Sequence, residues 1–288
     1  MQIVYKVPGY ILCLFAGLCL SFGGPLIRFF EGASPWQILF WRSLFFTLAI
    51  SVFLFLTYKK ETISIIIKAG FAGLISGFFL STSFVGYIFA ITETTIANVV
   101  FIISSQTLFL TVFGYFFLKE KISLVSFIAI TMAISGVILM IGDSVSSGSL
   151  IGNLAALLIP INFSILVIII RKKPELDMIP AIFYAGILST VYGFVLSENL
   201  IISNKDLGLS FLLGVPQLAF GFIFVTIGSK TTPAAAVGLF MLTESIFGPI
   251  WGWLIFNEIP PTSVFIAGAM IITAVIIKSF EKIKPATG

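Results

Sequence analysis

Residues 114–120 read GYFFLKE, and residues 252–258 read GWLIFNE, 138 positions further on. The same offset brings FIAITMAISGVI (127–138) alongside FIAGAMIITAVI (265–276), so one register holds across two consecutive apolar stretches. Nearer the start of each half, Gly9, Leu14, Ser21, Ile27 and Arg28 return as Gly152, Leu157, Ser164, Ile170 and Arg171 at an offset of 143. The chain reads as two copies of one unit, residues 1–147 and 148–288.

What each copy contains follows from composition. Hydrophobic residues make up 59% of the 288 and charged residues 10%, with a mean hydropathy of +1.16. No soluble core hides that much apolar surface. At roughly twenty apolar residues per crossing, the first copy gives segments at 9–28, 36–57, 69–91, 95–118 and 122–141, and the second at 150–170, 179–197, 208–228, 233–256 and 262–279. Pro35, Pro180, Pro233 and Pro261 stand at or beside helix starts, where a missing amide proton costs nothing. The expected fold is an all-α integral membrane protein with ten transmembrane helices. Five spans per copy is an odd number, so the second copy enters upside down. Such inverted repeats occur in secondary transporters, whose site lies near the bilayer midplane.

Basic residues set the orientation. With the amino terminus inside, thirteen of the sixteen Lys and Arg fall on the cytoplasmic side, only Arg28 and Lys205 lie outside, and Arg42 sits within a span. This bias puts both termini in the cytoplasm. The net charge of +4 therefore reports membrane orientation and not nucleic-acid binding. Cys13 and Cys19 share the first apolar segment and are too far apart along one helix for an ordinary disulfide. That segment has no small-residue cleavage site after it and reads as an uncleaved first helix.

Ten spans in two five-helix copies, LFWRSLFF (39–46) in the second span, and the loops opened by LKEK (118–121) and FNEI (256–259) resemble the EamA-type drug/metabolite transporter superfamily. The resemblance covers nearly the whole chain. It implies a secondary active transporter of a small metabolite in the inner or plasma membrane. Cargoes across that superfamily run from amino acids and their derivatives to quaternary amines, vitamins, nucleotide-sugars and toxic cations, so it selects none.

Polar residues inside the spans supply the candidates. Glu244, in FMLTESIFGP (240–249), is the only charge from Pro233 to Phe256. It lies about 17 Å along its helix from Pro233, near the middle of a ~30 Å hydrocarbon core. An ionised carboxylate there costs about 2.5 kcal/mol or more, so it faces a partner or a cavity, or carries a proton. Its counterpart at offset 138 is Gln106, which has the same size but cannot ionise. A purely structural contact would be satisfied by an amide in both halves.

Arg42 lies about 10 Å below the outer end of its own helix. Three readings compete for it: snorkelling to the headgroups, an ion pair with Glu244, or a clamp on a substrate carboxylate or phosphate. Trp41 adjoins it but points about 100° away around the helix. Asn162 follows Pro160 in LLIPINFSIL, where a kinked helix either exposes carbonyls to a cavity or simply packs. GGP (23–25) suggests a broken end to the first span. Glu120 and Glu258 read as carboxylates beside the amino terminus of the next helix. Gly73 with Gly77, and Gly248 with Gly252, have the spacing of close helix contacts.

The candidate binding set is Glu244, Arg42, Gln106, Asn162 and Trp41. The chain has no histidine and no Cys/Asp pairing at ligand spacing, so neither a metal, a cofactor nor an enzyme's catalytic set is expected. A channel or scaffold is the competing class. Glu244 suits an amine and Arg42 an anionic group; together they suit a zwitterion such as an amino acid, with protons as candidate coupling ions. The alternative cargo is an organic cation. The expected partners are the substrate, protons and lipid, and both monomer and homodimer remain open.

Overall fold

The computed structural model describes residues 4–93, 99, 102–142, 150–257 and 262–280. Glu258 and Pro261 lie outside them. The described residues form helices and turns, with no strand among them. In lipid, an unpaired backbone N–H or C=O costs several kcal/mol, and a helix pairs both within one segment.

In chain order the α-helices are α1 (Gly9–Leu20), α2 (Gly23–Ile27), α3 (Pro35–Tyr58), α4 (Thr62–Glu93), α5 (Gln106–Leu118), α6 (Leu124–Gly142), α7 (Leu150–Lys172), α8 (Ile179–Leu196), α9 (Asn204–Leu212), α10 (Phe220–Gly228), α11 (Ala234–Met241), α12 (Thr243–Phe256) and α13 (Thr262–Phe280). A π-helical turn, Leu213–Ala219, joins α9 to α10. Six stretches, Gly9–Ile27, Pro35–Glu93, Leu150–Lys172, Ile179–Leu196, Asn204–Gly228 and Ala234–Phe256, are long and apolar enough to cross a bilayer. Their outward faces carry large apolar side chains such as Phe55, Phe71, Leu154 and Val195, a surface that lipid covers.

The helix boundaries have local causes. Ser34 caps α3 by accepting from Gln37 N while the Gln37 side chain accepts from Ser34 N, with Pro35 in the first turn, a reciprocal capping box. α4 starts at Thr62, earlier than the segment expected at 69–91, because ISIII (63–67) is apolar enough to coil. Gly70, at φ +50° and ψ −144°, then breaks it before the long run begins; glycine adopts that backbone without a Cβ clash. α5 and α12 end alike: Lys119 and Asn257 are left-handed, and their amides return to Gly114 O and Gly252 O. These caps are 138 residues apart, the offset that relates GYFFLKE to GWLIFNE.

The two halves interleave. α4 packs on α7 and α8, α3 on α8, α1 on α10, and α5 on α7 and α11, while α6 lies beside α13. Where hydrophobicity does not drive helices together, small residues let backbones approach. A Cβ on Gly77 would stand 2.8 Å from Ala181 O, so α4 and α8 meet there. Gly248 makes no such contact: among the described residues, nothing lies within 4 Å of a Cβ built on it.

Both ends of the bundle are tied. At one, the Tyr5 hydroxyl donates to Asp177 Oδ2 at 2.9 Å, Tyr58 donates to the same oxygen, and Asp177 Oδ1 accepts from Ile179 N at 2.9 Å. Nearby, Arg171 Nε donates to Glu120 Oε1 at 2.6 Å, and Glu120 Oε2 accepts from Ala234 N at 2.9 Å. Glu120 thus caps α11, in the other half of the chain, and not the helix next in sequence. The ion pair with Arg171 and the left-handed turn at Lys119 direct it there. At the opposite end, Gln37 Nε2 donates to Asn199 Oδ1 at 2.9 Å, and Asp206 accepts from Glu31 N and Ala33 N at 3.1 Å each.

Candidate functional site

Four helical runs depart from regular α-geometry. α1 stops at a turn over Ser21 and Phe22 before α2 begins, the break that GGP suggested. The π turn carries Pro216. α5 follows Ser105, at φ −65° and ψ −9°, and α12 follows Leu242, at φ −64° and ψ −8°. Gln106 is the first residue of α5 and Glu244 the second of α12. Two polar residues matched at offset 138 thus each follow a break. A carboxylate in a first turn also meets the positive end of the helix dipole. Ser104 Oγ lies 2.9 Å from Ser245 Oγ and joins the two breaks.

Between them lies a cavity of about 80 Å³, several times the 10–15 Å³ that one water needs. Its polar lining is Arg42, Ser83, Tyr87, Gln106, Gln217 and Glu244. Phe84, Phe163 and Phe222 form an aromatic wall that continues into the core, with Phe46 edge-on to Phe84 at 5.6 Å between ring centres.

Arg42 is 2% exposed. Its guanidinium lies over the rings of Phe84, at 5.6 Å, and Tyr87, at 5.4 Å, and Nη2 donates to Phe84 O at 3.3 Å. Nε has no partner. Among the described residues, Arg42 forms no ion pair with Glu244 or any other acid. Neither a snorkelling geometry nor a direct pair with Glu244 is therefore realised, because the ring faces hold the guanidinium inward. A guanidinium has five N–H donors, so this one is a buried cation with most of its hydrogen-bonding capacity unused. Gly214 of the π turn sits against it, a Cβ there falling 2.5 Å from Arg42 O, which fixes the height of Arg42 in the bundle. Tyr87 shares the cavity lining with both Arg42 and Glu244.

Trp41 and Asn162 point elsewhere. Trp41 Nε1 donates to Leu200 O at 2.9 Å, tying α3 to the connection after α8. Asn162 Nδ2 donates to Thr82 Oγ1 at 2.9 Å, joining α7 to α4, and the Pro160 carbonyl accepts from Ser164 Oγ at 2.7 Å. The cavity thus brings together Arg42, Gln106 and Glu244 and leaves Trp41 and Asn162 out.

Gln217 and Tyr87 were not anticipated. Gln217 carried the same signal as Asn162, an amide beside a mid-span proline, whereas one tyrosine in an apolar run carries none. Among the described residues, no three of His, Cys, Asp and Glu gather as a metal site would require.

Comparison with known proteins follows this geometry. The chain is 28% identical over 202 residues to an uncharacterized transporter of Methanothermobacter thermautotrophicus, a match covering 64% of this chain and 57% of that relative's length. It is 23% identical to the pseudopaline exporter CntI of Pseudomonas aeruginosa, over 95% of this chain and 96% of the relative. A solved crystal structure superposes with a TM-score of 0.78 at 16% identity, covering 94% of this chain and 96% of the other, a likeness of fold alone. The EamA-like transporter family matches residues 7–142 and again 150–280. With membrane-spanning helices, a buried polar cavity and that match over both halves, the chain is a multi-pass membrane protein that belongs to the EamA-like transporter family.

Proposed function

We propose that this protein is a secondary active transporter of a small zwitterion, an amino acid or a related amine-bearing acid, in the inner or plasma membrane. In this reading the chain crosses the bilayer ten times as two inverted five-helix repeats, with both termini cytoplasmic. The repeated left-handed caps at Lys119 and Asn257 and the matched breaks before Gln106 and Glu244 support the repeat.

The observation that carries the cargo assignment is that Arg42 and Glu244 line one cavity without pairing to each other. Arg42 offers its free Nε to a carboxylate, and Glu244 takes the ammonium. A carboxyl shielded from water holds its proton, and a bound cation displaces it, so cargo and proton compete for Glu244 and the gradient of one drives the other. A purely cationic cargo is disfavoured, because Arg42 would stay uncompensated and repel it.

The test is a stabilisation screen of the purified protein, since whatever binds the native fold raises its melting temperature. The probes are the common amino acids and, for each that stabilises, its methyl ester, its N-acetyl form and its decarboxylated amine. Both charged ends should be required. Equal stabilisation by the amine alone would replace the zwitterion with an organic cation.

A further inference from the structure

Resting on that reading of the cavity, we infer that Gln217 reads the cargo's nitrogen: its side-chain oxygen accepts an N–H bond from the bound ammonium, so the site takes amines that carry N–H and rejects fully methylated ones. Pro216 has no amide proton, and the chain around it widens into the π turn Leu213–Ala219; such single turns are rare and recur at functional sites. The turn places Gln217 on the cavity wall, only 7% exposed.

The orientation of its amide is decided by a neighbour. Gln217 Nε2 donates to Leu20 O at 3.1 Å. Leu20 ends α1, where a helix leaves its last carbonyls without intrahelical partners. Turning the amide over would set two acceptors against each other, so the nitrogen stays on Leu20 and the oxygen stays free. Gln217 Oε1 is buried and has no partner. An amide pinned in this way can only accept.

Its position matches the assigned end of the cargo. Leu20 and Gly17 are three residues apart on one face of α1. A Cβ on Gly17 would stand 3.2 Å from Glu244 N, while Leu20 O holds Gln217. The Glu244 backbone and the Gln217 amide therefore flank the same last turn of α1. At the same nitrogen end of the amide, a Cβ on Gly23 would lie 3.1 Å from Gln217 Nε2 and 3.5 Å from the Tyr87 hydroxyl. A primary ammonium has three N–H donors, enough to serve Glu244 and Gln217 together. A trimethylammonium satisfies the charge of Glu244 but donates nothing, and leaves Oε1 buried and unpaired.

The probes are glycine, alanine and leucine, each with its N-methyl, N,N-dimethyl and N,N,N-trimethyl forms, titrated against the melting temperature of the full-length protein. The wild type should bind forms that keep an N–H, then weaken at least about tenfold when the last N–H is lost. Gln217→Met should flatten that step while still binding. The methylation series on the wild type alone decides the matter if the variant does not fold. Trimethylated forms binding as tightly as the parents would overturn the role of Gln217 and leave the zwitterion reading standing. If none of the three series stabilises the protein, both the zwitterion reading and this inference fail together.

Discussion

Ser104 Oγ lies 2.9 Å from Ser245 Oγ, and this contact holds the break that precedes Gln106 against the break that precedes Glu244. Both serines are buried, at 4% and 5% exposure. Removing either hydroxyl takes away this one hydrogen bond, and removing both takes away the same bond once. Ser104→Ala and Ser245→Ala should each cost about 1 kcal/mol, and the double variant little more than either. Additive losses in thermal unfolding would show that the two turns are held by something else.

Arg42 sits between two ring faces with an unused Nε. Lysine keeps the charge but lacks the planar fork that stacks on rings and grips a carboxylate. Arg42→Lys should weaken binding of a zwitterion by at least about tenfold, with little change in melting temperature without ligand. Near-normal affinity would take Arg42 out of the site.

Two glycine pairs with the same spacing should respond in opposite ways. Gly77→Ala forces a methyl to within 2.8 Å of Ala181 O and should destabilise by about 1–3 kcal/mol. Gly248→Ala meets nothing within 4 Å among the described residues and should be neutral or slightly stabilising in its helix. Thermal unfolding of the two variants side by side checks this, and equal losses would contradict the helix contact.

The proposed topology is tested by reporter fusions. Fusions after residues 60, 173 and 288 should report the cytoplasm, and fusions after residues 93, 147 and 204 the outside. One reproducible inversion would break the ten-crossing reading.

How much was legible in the sequence depended on the kind of signal. The segments expected at 36–57, 150–170 and 179–197 match α3, α7 and α8 within two residues, because lipid demands continuous apolar helices and charge ends them. Arg42, Gln106 and Glu244 stood out for the same reason, and they do line one cavity. Trp41 and Asn162 were equally visible, yet side chains one residue apart on a helix differ by about 100° in direction, and an apolar run does not reveal which face is inward. Gln217 follows Pro216 as visibly as Asn162 follows Pro160, but its bond to Leu20 O ties the π turn to α1, a contact that no local pattern encodes. Glu120 was assigned the right chemistry and the wrong helix, since a cap on α11 is a contact between halves that no local pattern encodes.

In the proposed mechanism Glu244 exchanges a proton for the cargo's ammonium. Glu244→Gln places in α12 the residue already present at Gln106, so the variant should fold. The direct measurement is accumulation of a stabilising amino acid in proteoliposomes under an imposed pH gradient, wild type against Glu244→Gln. The wild type should concentrate it in proportion to the gradient and stop when the gradient collapses, whereas Glu244→Gln should show no gradient-driven accumulation at any pH. Normal accumulation by Glu244→Gln with unchanged pH dependence would contradict the account.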